Sequence, residues 1–155
     1  MVKHNSTPTM KQETLQNLLF KAFSSIGKDD DGEFRIPFEP DKDCPYNVVV
    51  YVKLTDGLLR VYGMCSNFIN ISNQDIVQKL LLINKWNSAK YFPKGYAINT
   101  KENGWYIQVE ECLCINDKEF NLPDEYVITF IKLIASGIWK FFVTMHKGAI
   151  EDNNN

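Results

Sequence analysis

A marked excess of charge of either sign is missing from this sequence. Seventeen Lys and Arg stand against nineteen Asp and Glu in 155 residues, a formal net charge of −2, with the signs interspersed. Nucleic-acid binders carry a basic patch or stripe, because phosphate neutralisation supplies most of their non-specific affinity. No nucleic-acid partner is therefore expected. Cysteine is sparse: Cys44, Cys65, Cys112 and Cys114 lack the dense framework of a small secreted scaffold. The stretch Met1-Val2-Lys3-His4-Asn5-Ser6 has no apolar core of the signal-peptide kind. Free thiols in a reducing cytoplasm are the expectation.

Catalytic and metal-binding patterns are also scarce. Cys112 and Cys114 sit at i and i+2, about 6.6 Å apart along a strand, which strains a disulfide. A zinc site wants a second pair or nearby histidines, and the two histidines, His4 and His146, lie near the ends. In Asp29-Asp30-Asp31-Gly32 the sixth position from Asp29 is Phe34, where a calcium loop of the EF-hand type needs glycine. A solvated turn is expected there. No Ser/His/Asp set, glycine-rich phosphate loop or paired-carboxylate motif stands out. The sequence therefore predicts no catalytic residues, no cofactor and no metal.

What is present is a regular alternation of apolar patterns, with 45% hydrophobic residues. Thr9 to Ile26 reads as a helix on Leu15, Leu18, Leu19, Ala22, Phe23 and Ile26, with Gly27 as its stop. Phe34, Ile36 and Phe38 alternate as a short strand. Asn47 to Leu54 and Leu58 to Cys65 flank Thr55-Asp56-Gly57, a hairpin signal because Gly accepts the positive φ of a tight turn. A second helix opens at Ser72, with Asp75 completing an approximate capping box, and ends near Asn87 to Lys90. Tyr91 to Asn99 and Gly104 to Ile115 read as a second hairpin. Glu111 interrupts the apolar face of its last strand, through a bulge, a strand-edge position or burial of the acid.

The third helix starts around Leu122-Pro123-Asp124-Glu125, where proline pre-sets the helical φ and the acids suit the positive end of the dipole. Tyr126 to Met145 is long enough to cross a bilayer. Lys132 and Lys140 lie inside it, each costing about 2.5–3.5 kcal/mol at mid-membrane. They share a stripe with Thr129, Ser136 and Thr144 that marks a solvent face, so no membrane span is expected. Opposite lie Val127, Ile131, Ile134, Ile138, Phe141 and Met145. Tyr126, Phe130, Leu133, Trp139 and Phe142 widen that stripe beyond what packing on a sheet requires. The order α-β-β-β-α-β-β-α predicts an α+β fold, helices on an antiparallel sheet, as one domain over residues 9–146. Residues 1–8 are expected to be flexible and 147–155 to form a disordered tail.

Within this order, Ile83-Asn84-Lys85-Trp86-Asn87 leads to Tyr91-Phe92-Pro93-Lys94-Gly95-Tyr96. That run resembles the YbjN family, whose members show an Asn-x-Trp-Asn helix end and a Phe-Pro-Lys-like strand start. A second hairpin strand and a long C-terminal helix follow in that family. The likeness extends over residues 10–146 in element order, with the specific residues between Ile83 and Tyr96. It implies a bacterial protein with a fold similar to type III secretion chaperones, acidic dimers without enzymatic activity, and a loosely defined regulatory or sensory role. It supplies no catalytic residues.

Two functional expectations follow. The first is a non-enzymatic protein-binding module, chaperone-like or an adaptor, forming a homodimer and holding another protein chain or peptide segment. Its partner or dimer surface is expected on the third helix at Ile138, Trp139 and Phe142, or through the adjacent sheet. In this reading Asn84, Trp86, Asn87, Phe92 and Pro93 are structural: the tryptophan plugs the helix against the sheet and the amides bond the loop backbone. The second is a small-molecule sensor with a pocket between the C-terminal helix and the sheet, lined by Trp105, Tyr106, Tyr96 and Trp139.

Overall fold

Val48, Val50 and Val52 are fully buried while Val49, Tyr51 and Lys53 between them are half-exposed, and that alternation sets the plane of the molecule. The computed structural model describes residues 11–89, 92–115 and 122–148. Its helices are α1 (Gln12–Ala22), α2 (Asn73–Ala89) and α3 (Asp124–Lys147). Its strands are β1 (Gly27–Lys28), β2 (Phe34–Phe38), β3 (Val48–Thr55), β4 (Leu58–Cys65), β5 (Lys94–Thr100) and β6 (Gly104–Cys114). They form one antiparallel sheet in the order β1-β2-β3-β4-β6-β5. The α+β architecture read from the sequence is the one observed.

Local chemistry accounts for most of the boundaries. Asp56 and Gly57 both take positive φ, 48° and 78°, and close the β3–β4 hairpin at Thr55 opposite Leu58. The Ser72 hydroxyl accepts the Asp75 N–H at 3.1 Å and opens α2 as expected. Two glycines bring the helices onto the sheet. A Cβ on Gly63 would overlap Cγ2 of Ile138, and one on Gly95 would sit 2.6 Å from the Phe141 ring. Both glycines lie on the same face as Val50 and Val109.

α3 lies in the middle of the helix layer, with α1 and α2 both packed against it. That position explains its wide apolar circumference. Ile138, Phe141 and Phe142 are fully buried. Phe68 stacks on Phe142 at 5.7 Å, Phe38 stacks on Trp139 at 5.7 Å, and Trp86 meets Phe141 edge-on at 5.2 Å. Among the described residues α3 is also the one helix long and apolar enough to cross a membrane. Its apolar stripe is the floor of the core, and Lys132, Ser136 and Lys140 face outward.

Three boundaries differ from expectation. α1 ends at Ala22, and Phe23 is already extended (φ −128°, ψ 140°). Gly27 then enters a strand that the sequence did not announce, because Gly27–Lys28 pairs with Phe34 and Arg35 across the Asp29–Gly32 turn. Lys147, expected in the tail, belongs to α3 and faces Asp43 at 3.9 Å, while Gly148 closes the helix at φ 72°. Thr9, Lys90 and Tyr91, and residues 1–8 and 149–155, lie outside the described residues.

Candidate functional site

The expected partner surface on α3 does not exist as a surface. Ile138 and Phe142 are 0% exposed, and Trp139 is half-buried under Phe38. The excess apolar area is covered by this chain's own α1, α2 and Phe68. The apolar side chains that α3 does leave exposed are Tyr126 and Leu133.

At the helix-to-strand corner, three of the five residues expected to be structural make packing or hydrogen-bond contacts. Trp86 is buried and its Nε1–H donates to the Pro93 carbonyl at 2.9 Å. Pro93 is buried against Gly137, where a Cβ would come within 2.6 Å of its ring. The Asn87 amide bonds Gly95 twice, Nδ2–H to the carbonyl at 2.9 Å and the Gly95 N–H to Oδ1 at 2.8 Å. Lys94 Nζ donates to the Asn87 carbonyl at 2.9 Å. Asn84 and Phe92 are exposed.

The pocket expected between α3 and the sheet is filled by the Gly63–Ile138 and Gly95–Phe141 contacts. Its four aromatics are also not brought together. Tyr96 and Tyr106 lie on the opposite face of the sheet, Trp105 donates to Asn73 Oδ1 at 2.8 Å, and Trp139 sits at Phe38. Glu111 faces the helix layer at a half-exposed position, in unbroken register with Val61, so no bulge is involved.

Among the described residues, all three helices cover one face of the sheet and no helix lies over the other. On the bare face, successive rows run Arg35, Tyr51, Tyr62, Glu110 and Lys94, then Pro37, Val49, Met64, Gln108 and Tyr96. Tyr51 and Tyr62 stack at 4.8 Å with 13° between their planes. Arg60 lies 4.4 Å above the Tyr62 ring and pairs with Glu110 at 2.8 Å. Gln108 is only 6% exposed and donates to Glu110 at 2.8 Å, while Tyr62 donates its hydroxyl to Glu33 at 2.6 Å. Arg35 pairs with Asp29 at the margin.

These contacts fix the electrostatics of the face. The Arg60 guanidinium holds the Glu110 carboxyl below the usual carboxylate range, and burial with the Glu33 bond pushes the Tyr62 hydroxyl well up. Arg35 and Arg60 are each paired with a carboxylate, and Lys94 stands opposite Glu110 in register. The face is thus a braced polar and aromatic platform. Cys112 and Cys114 are exposed here, and partial desolvation of the Cys112 sulfur together with the Glu110 charge raises its thiol, which disfavours the reactive thiolate. Among the described residues no three His, Cys, Asp or Glu side chains are grouped to hold a metal.

The sequence offers the sheet as an alternative interface without singling out these residues, although their signal is present. The alternation that buries Val48, Val50 and Val52 also aligns Val49, Tyr51 and Lys53 with Arg60, Tyr62 and Met64.

No protein-family model matches the chain, and no curated protein matches it. Among solved structures the chain is similar to the crystal structure of YbjN from E. coli, a proposed transcription regulator. The TM-score is 0.70 over 92% of this chain and 96% of that one, at 12% sequence identity. The chain therefore has a YbjN-like fold.

Proposed function

We propose that this chain is a non-enzymatic protein-binding module, a regulatory adaptor, that engages its partner through the helix-free face of the sheet. The observation that carries the reading is the make-up of that face. Tyrosine, methionine and arginine are the residues enriched in protein interfaces, and here Tyr51, Tyr62, Tyr96, Met64, Arg35 and Arg60 occupy one contiguous surface. Most are held by stacking or ion pairs before any partner arrives, which lowers the entropic cost of binding. The paired charges suit another protein better than a phosphate backbone. The regulatory role proposed for YbjN agrees with an adaptor, at the level of fold alone.

Affinity capture from the native host tests the reading. The native chain and a Tyr126→Ala/Leu133→Ala control on α3 are expected to recover the same partner in fixed ratio, and Tyr51→Ala/Met64→Ala to lose it. Light scattering on the same three proteins reads whether a second copy of the chain occupies the face. Recovery of no partner and no dimer, or a partner indifferent to the Tyr51 and Met64 changes, overturns the proposal.

A further inference from the structure

The hydrogen bonds of the sheet determine which backbone groups of β5 are left over. In an antiparallel pair, residues alternate between exchanging both bonds with the partner strand and pointing them outward. Trp105 accepts from Ile71, and Ile115 donates to Gly57, so the odd-numbered residues of β6 point away from β5. The even-numbered residues of β6 therefore bond Lys94, Tyr96, Ile98 and Thr100, their partners in register. Gly95, Ala97 and Asn99 direct their N–H and C=O groups out of the sheet. Gly95 confirms this independently, because its outward groups are the ones Asn87 seals. Among the described residues no group bonds the outward N–H or C=O of Ala97 or Asn99.

We infer that this window of β5 is a strand-docking site that takes an extended segment of a partner protein as a seventh strand. The inference rests on the protein-binding reading and adds a second surface and the form of the bound segment. Four adjacent backbone groups in strand geometry match the donors and acceptors of another strand and of little else. Side chains of a docked strand would alternate between two surroundings. One is the bare face, with Tyr96 at 47% exposure. The other is the flank of α2 that adjoins Asn87, where Leu80 is half-buried and Val77 is 58% exposed. Apolar residues on both sides of the backbone are therefore favoured.

A second copy of this chain does not fit the window. Paired strands lie about 4.7–4.9 Å apart, whereas packed helices need about 8–10 Å between axes. α2 lies over β5, and its end reaches around to the outer side of Gly95, so antiparallel pairing of β5 with its own copy would lay two α2 helices side by side at closer than packing distance. A bare extended segment brings no helix layer with it.

The test uses a displayed library of random linear peptides selected on the full chain. The native protein and Asn99→Ala are expected to enrich and bind the same apolar extended peptides. Asn99→Pro is expected to weaken them at least tenfold while melting normally, because the N–H it removes lies outside the ladder. N-methylation of a bound peptide at alternate residues is expected to abolish binding for one parity and spare it for the other. That readout on the native protein decides the matter should Asn99→Pro fail to fold. Failure to enrich peptides overturns the inference, as does binding indifferent to both Asn99→Pro and N-methyl parity. Peptides that survive Asn99→Pro but are lost with Tyr51→Ala/Met64→Ala would remove the strand site and leave the binding face standing.

Discussion

The two edges of the sheet are built differently. On one side the outermost strand, β1, is two residues long, and Lys28 on it reaches back to Gln16 at 3.2 Å. Beyond its end β2 presents Pro37, which has no N–H to offer, and the charged pair Arg35–Asp29 stands beside it. Shortness, proline and charge are the devices that keep a sheet edge from recruiting another strand. On the other side β5 is seven residues long, and among the described residues its protection consists of one side chain, Asn87, over one residue, Gly95. The contrast shows that shielding at β5 depends on a helix end, and that the helix end is fixed by the corner made by Trp86 and Pro93. The same few residues hold the fold together and set where the open window begins.

The sharpest way to break this arrangement is at the corner itself. Trp86→Ala empties a buried site against Phe141 and removes the bond to Pro93. It is expected to cost about 3–5 kcal/mol, measured by chemical denaturation. Asn87→Ala should cost less, about 1–3 kcal/mol for two hydrogen bonds at about 0.5–1.5 kcal/mol each. It should also lengthen the free window by one residue. The signature is therefore a less stable protein that binds extended peptides more tightly, and loss of stability without that gain would mean the amide does not act as a shield.

How far these features could be read from the sequence follows from the range of the interactions behind them. The Asp56-Gly57 turn, the Ser72 cap and the buried valine rows are set by neighbours in the chain, and they were legible. So was the structural role of Trp86 and Asn87, since a tryptophan closing an amphipathic helix has a limited choice of neighbours. The breadth of α3 was legible as a fact and misread as a partner surface, because its cause lies in α1 and Phe68, which are distant in sequence. β1 was hidden because two residues carry no periodicity. The free groups of β5 were hidden because outward pointing depends on register, and register is a property of the whole sheet.

On the bare face next to β5, acid provides a gentler probe. Glu110 pairs with Lys94 in register and is held ionised by Arg60. Its carboxyl is depressed in the folded chain, so its contribution to stability is present above the ordinary carboxylate range. That contribution is lost as pH falls through the folded-state value. Arg60→Met is expected to flatten the acid limb of the melting temperature against pH and leave stability near neutrality little changed, since the pair is partly exposed. An acid limb as steep as that of the native protein would show that other carboxylates carry it.

The smallest effect on stability, and the most direct on the comparison, is expected from Pro37→Thr. Pro37 is exposed and faces the side of β2 that β1 does not reach, so the new N–H enters no existing ladder and fills no core space. The unfolding free energy should move by less than about 0.5 kcal/mol, as for most surface changes. What changes is the pairing capacity of that edge: an outward N–H now stands beside an outward carbonyl, as at Ala97 and Asn99. Light scattering over a concentration series is expected to show association exceeding that of the native chain. The same variant made by ligation with a methyl group on that new backbone nitrogen should reverse it. If association does not rise, the two-residue length of β1 and the Arg35 charge guard that edge without the proline. The openness of β5 would then follow from its length, and removing residues from its end would be the way to close it.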